Sequence, residues 1–383
     1  MDNAIQQKLD FLKLDPDNPN LLAEVADYYI KQGGLDDASS YIEQGLKVSP
    51  EHQSLIFVKG TLAIASNKAD EAIKTLEQLK FDIGTAPEVR YNLAYAYLLK
   101  GDALQSRDEL LPIINEPQVL PAALLLFARA CHHLGEMDDA ENYAGEYLKQ
   151  FPSDAEALGV MALIKLDIEA EDASEWAEKA LSLNENNLEG LVTKGNVALT
   201  NLDKYDAAPY FEKAVAAHGR SGRAHAGLGL VHMSNLNLDK AKEALEKAVK
   251  FMPQHIGTWH ALAWSQILSG DLHAGKQSFK SANEINRNFG ETYGGLAVIA
   301  ALEGKIDHAR ELSKKAIGLD GRSFSARYAQ SLIIANAGGG ERATKMIEKI
   351  LDSEVVEGAG SLKGMLLKLQ KNPQHKNDYT KKH

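Results

Sequence analysis

The chain has 383 residues, 44% of them hydrophobic, and carries a formal net charge of −11. That apolar content excludes wholesale disorder, the acidity repels a phosphate backbone, and no run of about 18 apolar residues is present to span a membrane. The single cysteine, Cys131, excludes an intrachain disulfide and a cysteine-rich zinc site.

The first segment, residues 1–18, contains 'DNAIQQKLDFLKLDP', whose rhythm is that of the second half of a longer repeat. It reads as an N-terminal half-repeat or capping helix, and the sequence as a mature or trimmed form. From Pro19 onward, Ala38, Ala72, Ala140, Ala173, Ala207, Ala241, Ala309 and Ala343 recur in one phase. Repeat starts then fall at residues 19, 53, 87, 121, 155, 188, 222, 256, 290 and 324, a spacing of 34 broken by one step of 33. Ten units therefore run over 19–357. Apolar residues recur at helical spacing in both halves of each unit, with no alternation long enough for a strand, so the sequence predicts an all-α chain of helix, turn, helix, turn.

Within the units, Gly101, Gly135, Gly270 and Gly304 suit a left-handed turn between the two helices. Gly338 in 'NAGGGERATK' is the same turn rather than a phosphate loop, because no strand precedes it and no Gly-Lys-Ser/Thr follows. Asp36, Asp70, Asp138, Asp239 and Asp307 are expected to cap the second helices. Pro112 in the third unit predicts a bend or an early helix end. Pro209 in the sixth is expected in the first turn of its helix, where it does no harm. The fifth unit loses a residue in 'LDIEAEDAS' and lacks a turn glycine, which predicts a different turn. Residues 358–372 read as a C-terminal capping helix and 373–383 as a basic flexible tail.

Small residues hold two positions where helices must approach closely. Position 8 carries Ala26, Gly60, Ala94, Ala128, Ala162, Gly195, Gly229, Ala263 and Ala297, and position 27 carries Ala180, Ala214, Ala248, Ala282 and Ala316. Between them, Phe211, Leu245 and Phe279 fill position 24. This pattern resembles the tetratricopeptide repeat family, as in Trp259, Leu262, Ala263, Phe279 and Ala282 of the eighth unit, Leu93, Ala94 and Tyr97 of the third, and Pro50, Pro152 and Pro253 at position 32. The resemblance implies an α-solenoid, a right-handed superhelix whose first helices line the concave face through positions 2, 5, 6, 9, 12 and 13.

Repeats occupy nearly the whole chain, so an enzyme is not expected, and neither is a cofactor. His132 and His133 are adjacent on one helix and do not converge on a metal, and Cys131 at an interior position reads as a buried, inert thiol. What remains is a groove. Its candidate partner-binding residues are Phe57, Tyr91, Asn92, Tyr95, Arg129, Asn196, Leu230, His260, Trp264 and Tyr328, an apolar and aromatic set with few charges. Position 5 holds no lysine, which disfavours the carboxylate clamp that the resemblance brings with it, and only Asn92 and Asn196 stand where other members of the family carry an asparagine ladder. The expected function is a non-enzymatic scaffold or adaptor that binds an apolar or amphipathic segment of a partner protein or peptide, with no nucleic acid and with membrane contact only through a partner or a removed anchor. The patch around Trp264, His260, Leu230 and Tyr328 is the expected anchor. The alternative is a soluble subunit of a bacterial envelope assembly for polysaccharide, pilus or protein secretion. The expected address is cytoplasmic as written, or periplasmic if a signal has been removed.

Overall fold

The computed structural model describes residues 3–82, 86–115, 120–201 and 204–352; the capping helix and basic tail expected over 358–383 lie outside them. Every regular element among the described residues is an α-helix, and none is long and apolar enough to cross a membrane. The chain divides into two compact units, Met1–Ala173 and Ser174–His383.

The first unit carries α1 (Asn3–Leu14), α2 (Pro19–Lys31), α3 (Leu35–Val48), α4 (Gln53–Ala65), α5 (Ala69–Asp82), α6 (Pro87–Lys100), α7 (Ala103–Ile114), α8 (Pro121–Leu134), α9 (Met137–Gln150) and α10 (Ala155–Asp167). At the boundary begins α11 (Ala173–Leu183), followed by α12 (Leu188–Thr200), α13 (Lys204–Ala217), α14 (Gly222–Ser234), α15 (Leu238–Phe251) and α16 (Ile256–Leu268). The second unit ends with α17 (Leu272–Ile285), α18 (Gly290–Leu302), α19 (Ile306–Leu319), α20 (Phe324–Asn336) and α21 (Gly340–Asp352). Even-numbered helices are the first helices of the repeats, and odd-numbered ones from α3 are the second. In the first unit α2 packs on α3 and α4, α4 on α5 and α6, α6 on α7 and α8, and α8 on α9 and α10. The second unit repeats the scheme, with α14 on α15 and α16 and α18 on α19 and α20.

Helix starts follow local chemistry. Pro19, Pro87 and Pro121 open α2, α6 and α8, where a free amide is not needed. Asn18, Asp154, Asn187, Ser221 and Ser323 accept the first free amides of α2, α10, α12, α14 and α20. The aspartates expected to cap second helices do not do so: Asp36, Asp138, Asp239 and Asp307 lie inside the first turn of α3, α9, α15 and α19, after caps that make no side-chain bond. There they favour the positive end of the helix dipole instead. Asp102 and Asp271, two residues earlier in phase, accept a second-helix amide in the expected manner, from Gln105 and Ala274.

The turn glycines have the expected left-handed backbone, with φ of 90° at Gly101, 78° at Gly135, 85° at Gly270, 74° at Gly304 and 83° at Gly338. In the fifth repeat Glu169 takes that conformation without a glycine, and Ala170 N–H bonds the Lys165 carbonyl at 2.9 Å just as Glu136 N–H bonds that of Cys131. The helix end is thus conserved in shape, and the lost residue acts downstream, where α11 has 11 residues against 14 in α9. Pro112 ends its helix early, α7 having 12 residues. Pro209 departs from expectation: it is the sixth residue of α13, beyond the four free amides, so it removes an interior bond to the carbonyl of residue 205.

Packing between repeats is an interlock of large and absent side chains. Phe211 of α13 is fully buried, and a Cβ on Gly195 of its own first helix would come within 2.7 Å of the ring. A Cβ on Gly227, in the first helix of the next repeat, would come within 2.1 Å. Phe279 does the same to Gly295 at 2.2 Å, and Leu76 and Leu245 to Gly60 and Gly229, each at 2.5 Å. Large residues at position 24 therefore need holes at position 8 of their own repeat and at position 6 of the next. Alanine at Gly295 is expected to destabilise the protein by about 1–3 kcal/mol through overpacking. Alanine at Gly318, helical and with open space around its Cβ, should stabilise it by roughly 0.5–1 kcal/mol. Chemical denaturation of the two variants checks this, and equal shifts would contradict the interlock.

Candidate functional site

First helices of the unit Met1–Ala173 line two grooves. Successive turns of α2 present Ala23, Glu24, Asp27 and Lys31, α4 presents Ser54, Phe57 and Val58, and the first turn of α6 adds Glu88 and Val89, around a groove of about 510 Å³. The second groove, about 400 Å³, takes Tyr91, Tyr95, Leu98 and Leu99 from α6 and Leu125, Leu126, Arg129 and His133 from α8. Tyr147 of α9 closes one side, with Asp154 and Glu156 at the start of α10. A larger hollow of about 620 Å³ lies among α3, α4 and α5, but Asp36, Glu43, Lys47, Lys59, Lys68 and Glu71 give it charges of both signs and no aromatic ring. The first-helix grooves are better suited to a ligand, because Phe57 in one and Tyr91, Tyr95 and Tyr147 in the other offer aromatic area whose burial is rewarded.

The Tyr91 and Tyr95 rings lie 6.5 Å apart at 48°. Tyr91 is half-buried, and burial, then Tyr95 and Glu156, push its phenol above the usual range. Tyr95 is 43% exposed, a large ring facing the groove. Arg129 reaches across to Glu156, Nη2 to Oε1, at 2.9 Å. The Tyr147 hydroxyl donates to Asp154 Oδ2 at 2.9 Å, and burial followed by that bond pushes its pKa up to about 12. Asn92 donates to Thr61 Oγ1 at 3.1 Å, tying α6 to α4. Four of the sequence candidates, Phe57, Tyr91, Tyr95 and Arg129, thus line the two grooves.

The remaining candidates lie in the unit Ser174–His383. Leu230 is 40% exposed on α14. Asn196 turns its amide back to the Val192 carbonyl at 2.8 Å. Trp264 packs edge-on to Phe279 at 6.2 Å and against the cluster of Ala297, Val298 and Ala329, which Tyr328 also joins. His260 Nε2 pairs with Thr292 Oγ1 at 2.8 Å, joining α16 to α18, with the Phe279 and Phe289 rings at 5.1 and 5.3 Å. These aromatic side chains join consecutive repeats, so the ring area read from the sequence is largely engaged in packing.

In the first unit the groove positions carry more charge than the expected apolar and aromatic set with few charges. Glu88 and Glu156 stand at position 2, Glu24 at position 6 and Asp27 at position 9, all positions assigned to the groove in advance. Their acidity was therefore legible. Tyr147 and Asp154 were not, because one sits on a second helix and the other in the turn before a repeat.

Metal-ligand spacing occurs at Cys131, Glu136 and Asp139, whose ligating atoms lie within 4.8 Å of one another. Within this set Arg107 already pairs with Glu136, and burial, then Glu136 and Asp139, push the Cys131 thiol up to about 12. His132 pairs with Asp167 at 2.7 Å instead of converging with His133.

Burial lowers the pKa of His260 from 6.5 to about 4, with Glu291 opposing weakly. The folded chain therefore binds this proton less readily than the unfolded chain, and stability that is complete above the unfolded pKa is lost as the pH falls toward 4. From about pH 7 to about pH 5 the loss should be about 2 kcal/mol. His260→Gln, measured by urea unfolding at both values, should remove that dependence; an identical pH dependence in the variant would contradict it.

Residues 25–86 and 192–256 match the tetratricopeptide repeat family. Among solved structures, the human IFIT1 dimer with m7Gppp-AAAA is 12% identical with a TM-score of 0.55, over 87% of this chain and 89% of that one. A monomeric IFIT1 mutant with Gppp-AAAA is 12% identical with a TM-score of 0.57, over 86% and 89%. YrrB, described as a TPR protein with an unusual peptide-binding site, is 21% identical with a TM-score of 0.40, over 49% of this chain and 97% of its own. No curated protein matches the sequence. Identities this low speak to fold alone. The repeat phase and the helical hairpins agree with those matches, and residues 25–86 and 192–256 are tetratricopeptide repeats.

Proposed function

We propose that this protein is a non-enzymatic adaptor that holds an apolar or amphipathic segment of a partner protein on the first-helix face of residues 1–173. The observation that carries this is the convergence of Tyr91, Tyr95, Leu125, Leu126 and Tyr147 on one groove, with Tyr95 exposed. Tyrosine offers a large contact area while immobilising few torsions, which makes it an efficient anchor. The carboxylates Glu24, Asp27, Glu88, Asp154 and Glu156 along the two grooves favour protein over nucleic acid, since they repel phosphates. Contact with a membrane would then come only through the partner.

The test is recovery of partners from the native cell with the full chain, compared with Tyr95→Ala and with Glu246→Lys on the second helix α15. Loss of an interface anchor should weaken binding by about 2 kcal/mol, roughly thirtyfold, at an unchanged melting temperature. The α15 change should leave binding intact. Retained binding by Tyr95→Ala together with loss in Glu246→Lys would place the partner on second helices and overturn the proposal.

A further inference from the structure

We infer that the segment held on residues 1–173 is cationic and amphipathic, with a lysine or arginine head among Glu24, Asp27 and Glu88 and an apolar neighbour on the Tyr91–Tyr95 groove. This rests on the adaptor reading and adds the chemistry of the partner. The groove over α2, α4 and α6 has an apolar floor of Ala23, Phe57, Val58 and Val89, and three of the four charges on its wall are negative, Lys31 being the exception. Lys31 is held by Asp27 at 2.6 Å, and Glu24 reaches the other way to Lys8 at 2.6 Å. Both are exposed pairs, worth little and readily exchanged for a ligand's charge. Glu88, in the first turn of α6, is exposed.

A floor of this kind beneath carboxylates is complementary to a long basic side chain. Its methylene stem covers Phe57 and Val58, and its head remains at the carboxylates in water. The face of Phe57 adds attraction for a cation and none for an anion. An acidic segment would meet an excess of negative charge, which makes the groove discriminate by repulsion as well as by attraction. Adjacent first helices pack roughly 8–10 Å apart, and an extended chain advances about 3.3 Å per residue, so one to two helix spacings set the basic residue about three to six positions from its apolar anchor.

Selection from a random peptide display library by the full chain tests this. The expected consensus pairs lysine or arginine with an aromatic or aliphatic residue a few positions away. Binding of a selected peptide should weaken as salt rises, and by about tenfold or more in the Glu24→Lys, Asp27→Lys, Glu88→Lys triple variant. Glu88→Lys alone is the substitute should the triple variant melt early. Tyr95→Ala should weaken the same peptide. A neutral or acidic consensus, or an affinity unmoved by charge reversal, overturns the cationic partner; the adaptor reading survives that result if Tyr95→Ala still weakens binding. Peptides indifferent to both changes, or no enrichment over the bare support, overturn both readings.

Discussion

The structure depends on one steric condition: where a second helix carries a bulky side chain near its middle, the first helices packed on it must leave a hole. Phe211 meets it with Gly195 and Gly227, and Phe279 meets it with Ala263 and Gly295. The condition is local, linking each repeat only to its neighbour, so stability accumulates along the chain by nearest-neighbour terms. It also dictates the binding face. Helices brought this close bury positions 8 and 24, and side chains at positions 2, 5, 6, 9 and 13 are left to line the grooves of the first unit.

Much of this was legible because the repeat averages noise. A single glycine such as Gly60 or Gly229 says little, but the same small position in nine units marks a helix contact. The position-6 holes at Gly227 and Gly295 escaped notice because only some repeats place a phenylalanine opposite them. Caps were misread for a related reason: Asp36 and Asp138 recur in phase, yet phase does not distinguish a cap from the second residue of a helix, whose side chain can only favour the dipole. The error at Pro209 is the same, since a shift of a few residues in the start of α13 turns a harmless proline into one that removes an interior hydrogen bond. Polar burial was invisible. Arg90 and Glu109 pair at 3.1 Å inside the third repeat, with 15% and 9% of their side chains exposed, where an apolar contact would be the ordinary choice. Such a pair is weak support for stability, though removing either partner alone is costly.

The lining of the candidate grooves was legible in part. Position numbering identified Phe57, Tyr91, Tyr95 and Arg129 as groove residues, but it could not rank them against Trp264 and His260, because ranking requires knowing which rings the next repeat covers. Trp264 and His260 lose freedom to Phe279, Phe289 and the α18 helix, whereas Tyr95 retains an exposed ring. Charge separates the two units further. The first-helix positions of residues 1–173 carry Glu24, Asp27, Glu88 and Glu156 around aromatic floors, and those of residues 188–336 are mostly small or aliphatic. An acidic, aromatic face and an apolar face on one chain give it two different chemistries to offer.

The proposed adaptor role requires that ligand contact fall on the first helices of residues 1–173. Hydroxyl-radical footprinting of the full chain, with and without a bound partner, reads it directly at the level of single rings. Tyr91 and Tyr95 on α6 and Phe57 on α4 should be protected, with Tyr41 on α3 and Leu111 on α7 unchanged. Protection of Tyr41 and Leu111 with Tyr95 still reactive would contradict it.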